Sequence, residues 1–446
     1  MSGAQEDSRS GACAESDERG RERVASRIAA SFGQAPEAFG VVNATRVDAR
    51  GVLHGAWIVC ADGIVVGSGT DRAGFEACAR SVGLDPASAA TAGASSGGTD
   101  APRVLDAEGR LLVPGYMDIH AHGAWGCSFD DGAEAIAVAR AGHMVHGTTR
   151  QVLSLITNPM DVMARNLRTV RRVMDSRPDV LGAHCEGPFL SPLHKGAHDP
   201  GCLRDPDPAS VATLLEAADG CLRQITIAPE LDHAMEAIHT FTDAGVVCAV
   251  GHTDTDYATA VRAFDAGASL LTHLFNAMPG LEHRKPGPIP AASEDPRVSM
   301  ELINDGFHVQ DPALRLALRF APERTLFVTD AMAATDMPDG RYKLGALDVE
   351  VKDTHARLVS NGAIAGSTLL LEHAVSRGVL DLRMAPGAAV AAATLLPARA
   401  LGLDRPNAVT GAPLGLLAPG YAADVLLLDP QEWSVERVWC DGRPEK

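Results

Sequence analysis

Residues 111–126, LLVPGYMDIHAHGAWG, run from a short apolar segment into His120 and His122, two histidines separated by a single alanine. On a β-strand, side chains two apart point to the same face, so both imidazoles would enter the same space. Alone, the pair has two readings: metal ligands, or polar residues closing a buried strand. The chain downstream bears on both the fold and that choice. Short β-type runs recur at about 116–122, 149–155, 180–186, 223–229, 246–252, 269–275, 299–305 and 325–331. Between them lie helix-like segments such as DVMARNLRTVRRVMDS (161–176), MEAIHTFTDAG (235–245) and YATAVRAFDAG (257–267), the last two closing on glycine. Strand and helix in regular alternation predict an α/β fold, a (β/α)8 barrel of the TIM type.

Outside that alternation the texture differs. Residues 1–35 are polar and of mixed charge, and read as a disordered tail. Short β-runs broken by turn residues occupy 40–69, SAATAGASSGGTDAPR (88–103) reads as a loop, and β-runs return over 415–446. The expected organisation is a tail (1–35), a small β-sandwich domain in two pieces (36–113 and 396–446), and a barrel (114–395) inserted between them.

The composition is that of a globular protein, 46% apolar and 22% charged over 446 residues. A formal net charge of −18 argues against nucleic acid or an anionic membrane as partner. No run is long and apolar enough to span a bilayer, and MSGAQEDSRSGACAES carries no signal-type apolar segment. The 9 cysteines are scattered and contain no C-x-x-C. Reduced thiols and a cytoplasmic location are the expectation.

Metal-competent side chains gather at the strand ends: His120 and His122, Glu186 in GAHCEGPFL, His252 in CAVGHTDTDY, His273 in LLTHLFNAMPG and Asp330 in LFVTDAM. A single His in such a place is usually a hydrogen-bonded structural residue, and a single Asp a helix cap. Active sites of barrel enzymes sit where the strands end, so these side chains would meet at one mouth. Imidazoles with carboxylates suit Zn2+ or Fe2+. His143, His146, His233, His239, His355 and His373 are read as structural or solvated, and His184 as a packing neighbour of Glu186. In HTDTDY, Asp254 or Thr255 is expected to cap the following helix.

Together PGYMDIHAHG, GAHCEGPFLSPLHKGAHDP, GHTDTDY, THLFNAMPGLEHRKPG, INDGFHV, VTDAMAA and AIAGST resemble the N-acetylglucosamine-6-phosphate deacetylases of the amidohydrolase superfamily. The likeness runs from about residue 40 to the C-terminus and includes the closing LGLLAPGYAADVLLLD. It implies hydrolysis of N-acetyl-D-glucosamine 6-phosphate to D-glucosamine 6-phosphate and acetate, a step of amino-sugar catabolism and cell-wall recycling. The alternatives are another deacetylase, such as one for N-acetylgalactosamine 6-phosphate, or a non-catalytic barrel scaffold. By the resemblance Glu186, His252 and His273 hold the main metal, Asp330 is the general acid/base and a possible ligand, and His198 polarises the acetyl carbonyl beside Ala197. Asn276 and Ala277 contact the sugar phosphate through their backbone, and Arg284 binds phosphate, a residue that in this family can reach across a dimer interface. The stretch from Asp305 to His308 contains the histidine facing a sugar hydroxyl, and Ile364, Ala365 and Gly366 line the pocket. Members with Gln-x-Asn at the opening motif bind one ion; His120 and His122 would allow a second bridged by Glu186, hence one or two ions per subunit, in an expected homodimer. The tail, the 88–103 insertion and Cys185 depart from the common pattern. Strand alternation should turn Cys185 away from the site.

Overall fold

The computed structural model describes residues 3–91 and 103–446, with side chains from residue 17 onward. The parallel strands are β1 (Tyr116–Asp118), β2 (Thr148–Ile156), β3 (Val180–Glu186), β4 (Leu222–Ile227), β5 (Val247–Val250), β6 (Leu270–Leu271), β7 (Ser299–Ile303) and β8 (Thr325–Val328). They pair in chain order in one sheet. Just past the strands, β1 and β8 close the ring: the Asp330 N–H donates to the His120 carbonyl (2.8 Å) and the His122 N–H to that of Ala331 (2.7 Å). Deeper down, Thr329 Oγ1 donates to Asp118 Oδ2 at 2.6 Å. All of β2 and β3 is buried, as expected of strands covered on both faces. The helix Met160–Met174 shows how the cover forms, since Met163, Leu167 and Val170 fall on one buried stripe.

Strands before and after the barrel share a second sheet of 9 strands. Val425–Leu428 pairs antiparallel with Leu111–Pro114, which also lies beside Phe39–Asp48. The two ends of the chain thus meet at the barrel's flank. Helix Leu395–Ala400 still packs on β1 and β8, so the barrel's last helical layer runs past the expected boundary at 395.

Two segments differ from the sequence reading. The expected disordered tail is a helix over Gly3–Ser31, packed on the helix Ala133–Met144. Among its described side chains Ala25 and Ile28 are buried, with Val24 partly so. Ser31 Oγ donates to Glu445 Oε1 at 2.6 Å, joining the two chain ends. A polar composition was a poor guide because the buried partner comes from distant sequence. After β8, Gly340–Leu344, Leu347–Lys352 and His355–Leu358 form a three-stranded antiparallel sheet that the strand count had not included. Its apolar face (Leu344, Val349, Val351, Leu358) packs with Ile156, Ala197 and Ala365. Most of the 88–103 loop, residues 92–102, lies outside the described residues.

Candidate metal centre and active site

Glu186, the last residue of β3, is the hub. Its Oε1 lies 3.2 Å from His120 Nε2, 3.1 Å from His252 Nε2 and 3.3 Å from His273 Nε2. Its Oε2 lies 3.1 Å from His122 Nε2 and 3.3 Å from His198 Nε2. Asp330 Oδ1 is 3.3 Å from His122 Nε2 and 3.6 Å from His120 Nε2. The strand ends turn sharply to aim these groups inward: His252, His273 and Asp330 adopt φ of 47°, 25° and 52°. Non-glycine residues rarely occupy that left-handed region, and where they do the surrounding fold holds them there, often at functional sites.

The donor set fits a divalent ion. His252 Nε2 and His273 Nε2 lie 3.0 Å apart with both rings buried, an approach that needs a proton or a cation between them. His120 Nε2 is buried and has no well-directed hydrogen bond despite its closeness to Glu186. Among the described residues two groups could hold an ion, His120–His122–Glu186 and Glu186–His198–His252, sharing the carboxylate. His198 therefore belongs to the ring of donors as well as facing the cavity.

Burial alone would raise the Glu186 carboxyl, but His120, His122 and His198 outweigh it and hold it well below the ordinary range. Asp330 is likewise lowered, burial being overcome by His122 and His120. Both carboxylates are therefore ionised at neutral pH. Burial pulls His198 down to about 4, which leaves that imidazole neutral.

A cavity of about 370 Å³ opens above this floor. It is lined by His122, Glu186, Ala197, His198, His252, His273 and Asp330, and on its sides by Asn276, Ala277, His308, Ile364 and Gly366. Ile156, Leu193, His194 and Leu344, not anticipated, line it too. Leu344 comes from the added sheet, where only the tertiary fold could place it. His120 lies beneath His122, and Ala365 is buried in the added sheet's core. Asp305 supports the wall: its Oδ1 accepts from the His308 N–H at 2.9 Å, and its Oδ2 lies 2.6 Å from His308 Nδ1. Arg284 is exposed, its guanidinium 2.6 Å from His283 Nε2, and does not line this cavity.

The supporting shell holds residues the strand-end search missed. His120 Nδ1 lies 2.9 Å from Glu301 Oε2, and His252 Nδ1 2.8 Å from the His194 carbonyl. Glu301 sits mid-strand in SMELIND, where a charge inside an apolar run was the available signal. His184 packs under the site between Ser154 Oγ (2.9 Å) and Thr226 Oγ1 (2.8 Å). Cys185 lies in the apolar core, its thiol pushed up by burial. His143 bonds the Gly123 carbonyl (3.0 Å), and His146 bridges Glu372 and Asp336, both away from the cavity. The helix after HTDTDY is capped by Asp256, whose Oδ1 accepts from the Thr259 N–H, rather than by Asp254 or Thr255. The Asp254 N–H is instead held by Glu230, which leaves Asp256 at the first helical turn.

Residues 111–444 match the amidohydrolase family. The chain is 36% identical over 344 residues to the N-acetylgalactosamine-6-phosphate deacetylase of Escherichia coli O157:H7, spanning 76% of this chain and 89% of that protein. It is 33% identical over 343 residues to the N-acetylglucosamine-6-phosphate deacetylase of Danio rerio, spanning 73% and 82%. A mutant N-acetyl-D-glucosamine-6-phosphate deacetylase from Mycobacterium smegmatis, solved with N-acetyl-D-glucosamine-6-phosphate, superposes with a TM-score of 0.79 at 36% identity, covering 92% of this chain and 99% of that one. With matches of this extent, a barrel of this order and a shared carboxylate ringed by imidazoles, the chain belongs to the amidohydrolase family, among the N-acetylglucosamine-6-phosphate deacetylases.

Proposed function

We propose that the protein removes the N-acetyl group of N-acetyl-D-glucosamine 6-phosphate, giving D-glucosamine 6-phosphate and acetate. The observation that carries this is the Glu186 carboxylate with five imidazole Nε2 atoms 3.1–3.3 Å away, next to an ionised Asp330 on the cavity floor. Glu186, His252 and His273 would hold the main ion, and His120 and His122, with Glu186 and Asp330, a second. Zn2+ or Fe2+ suits these donors. When bound, such an ion acts as a Lewis acid towards water and the amide carbonyl.

The chain's own groups supply the rest. Asp330, held ionised, takes a proton from the attacking water at a carboxylate oxygen and passes it to the departing amine nitrogen as the C–N bond breaks. His198, kept neutral by burial, donates a ring N–H to the carbonyl oxygen as negative charge develops there. Asn276, Ala277 and His308 form the wall facing the sugar phosphate. Arg284, outside its own cavity, fits a role at the partner subunit's phosphate site in a homodimer, where a guanidinium grips phosphate in forked geometry. A cytoplasmic place in amino-sugar catabolism and cell-wall recycling suits such a substrate. Among the described residues no helix is long and apolar enough to cross a membrane.

The similarity to an N-acetylgalactosamine-6-phosphate deacetylase makes the C4 epimer the competing substrate. Acetate release is to be measured from N-acetylglucosamine 6-phosphate, its galacto epimer and the unphosphorylated sugar, with metal analysis of the same preparation. Preference for the phosphorylated gluco sugar is expected, and Asp330→Asn should lose on the order of 10²–10⁴ in kcat. A fully active Asp330→Asn enzyme refutes the assigned proton path. Equal rates on phosphorylated and free sugar refute the substrate.

A further inference from the structure

Glu301 has no counterpart in the chemistry described so far. It lies in the middle of β7, fully buried, and its one ion-pair partner among the described residues is His120, 2.9 Å from Oε2. The same oxygen accepts the His273 backbone N–H at 3.2 Å, and Oε1 accepts from Gln224 Nε2 at 2.7 Å. A buried carboxylate without Lys or Arg is costly, and an apolar residue would pack a strand interior more cheaply. We infer that Glu301 is the positioning residue that makes His120 a ligand, and so sets occupancy of the ion site formed by His120, His122 and Glu186. This rests on the metal centre proposed above.

The tautomer of His120 decides its role. Both Glu301 oxygens already accept from N–H donors, so Oε2 facing His120 Nδ1 is placed to accept there as well, which puts a proton on Nδ1 and leaves Nε2 as the ligand atom. That Nε2 points to Glu186 and Asp330 and has no well-directed hydrogen bond. Gln224 locks the carboxylate against rotation. His122 has no equivalent support, since its buried Nδ1 lacks a partner. The second site therefore depends on one oriented imidazole, and Glu301 orients it. The contact to His273 N reaches the main site only through backbone, so its loss should spare that site.

Glu301→Gln tests this with minimal change of shape. An amide NH2 turned to Nδ1 makes that nitrogen the acceptor and puts the proton on Nε2, where the ligand lone pair belongs. Binding of Zn2+ to the metal-stripped full-length protein is read by equilibrium dialysis. The wild type should take two ions. Glu301→Gln should keep the first and bind the second about 10–100-fold more weakly. In a His120→Gln background, adding Glu301→Gln should change nothing further, whereas a merely structural role would weaken folding and both sites in either background. If Glu301→Gln does not fold, Gln224→Ala should give a smaller loss confined to the second ion. Equal loss at both sites, no loss, or a further loss in the His120→Gln background overturns the inference. So does a wild type that binds one ion, a result that leaves the hydrolase reading standing because acetate release tests it separately.

Discussion

Arg150, on β2, ties the barrel to the small sheet and offers a test of what holds the two together. Its Nε donates to Asp424 Oδ2 at 2.6 Å, Nη2 to Asp424 Oδ1 at 3.0 Å, and Nη1 to the Pro178 carbonyl at 2.7 Å; Nη2 also meets Asp441. The Arg150 side chain is 2% exposed, that of Asp424 7% and that of Asp441 20%. Arg150→Met keeps the apolar stem but strands Asp424 as a buried, uncompensated carboxylate. Breaking a buried pair this way costs about 3–5 kcal/mol. Asp441 adds little, since it can recover water. For a chain of this size each kcal/mol lowers Tm by roughly 2 °C, so the variant should melt about 6–10 °C below the parent. Calorimetry under saturating metal keeps ion binding from masking the change. The double variant Arg150→Met/Asp424→Leu removes both charges and should recover most of the loss, because apolar replacement of a buried pair is often neutral. A single variant as stable as the parent, or a double no better than the single, would refute this account of the junction.

Two further outcomes follow from polar contacts away from the metal. His146 is held up to about 9: burial opposes the charge, but hydrogen bonds to Asp336 and Glu372 outweigh it. A His with a raised folded-state pKa stabilises fully below its unfolded value near 6.5 and loses that contribution as pH rises through 9. His146→Gln should therefore cost stability at pH 6 and approach the parent near pH 10 in urea unfolding. A deficit independent of pH would show that the charge is not what stabilises. For Arg284, the Ala variant should raise KM for the phosphorylated sugar, and mixing it with Asp330→Asn subunits should restore turnover. No rescue after subunit exchange would place Arg284 outside any shared site.

Much of the site could be read from the chain because local geometry suffices for it. Alternation on β3 puts His184 and Glu186 on one side and Cys185 on the other, and the structure has them so. Strand ends close on His252, His273 and Asp330 because the barrel order repeats along the sequence. Leu347–Lys352 also alternates, with Val349 and Val351 buried, yet the added sheet brings Leu344 to the cavity only by docking against Ile156 and Ala197. The first helix escaped notice for the related reason that its burying surface is supplied from afar, by Ala133–Met144 and Glu445.

The sequence by itself determined which side chains face the barrel interior and which strands end in metal-competent side chains, since these follow from a two-residue period and turn-forming punctuation. Only the tertiary structure decided that His198 joins His120, His122, His252 and His273 around Glu186. It brings His252, 66 residues on, and His120, far upstream, to one carboxylate. It also put Glu301 behind His120 and left Arg284 outside its own cavity. Those outcomes depend on how the β1–β8 seam closes and how loops settle over it, and that register is set by packing between residues distant in the chain.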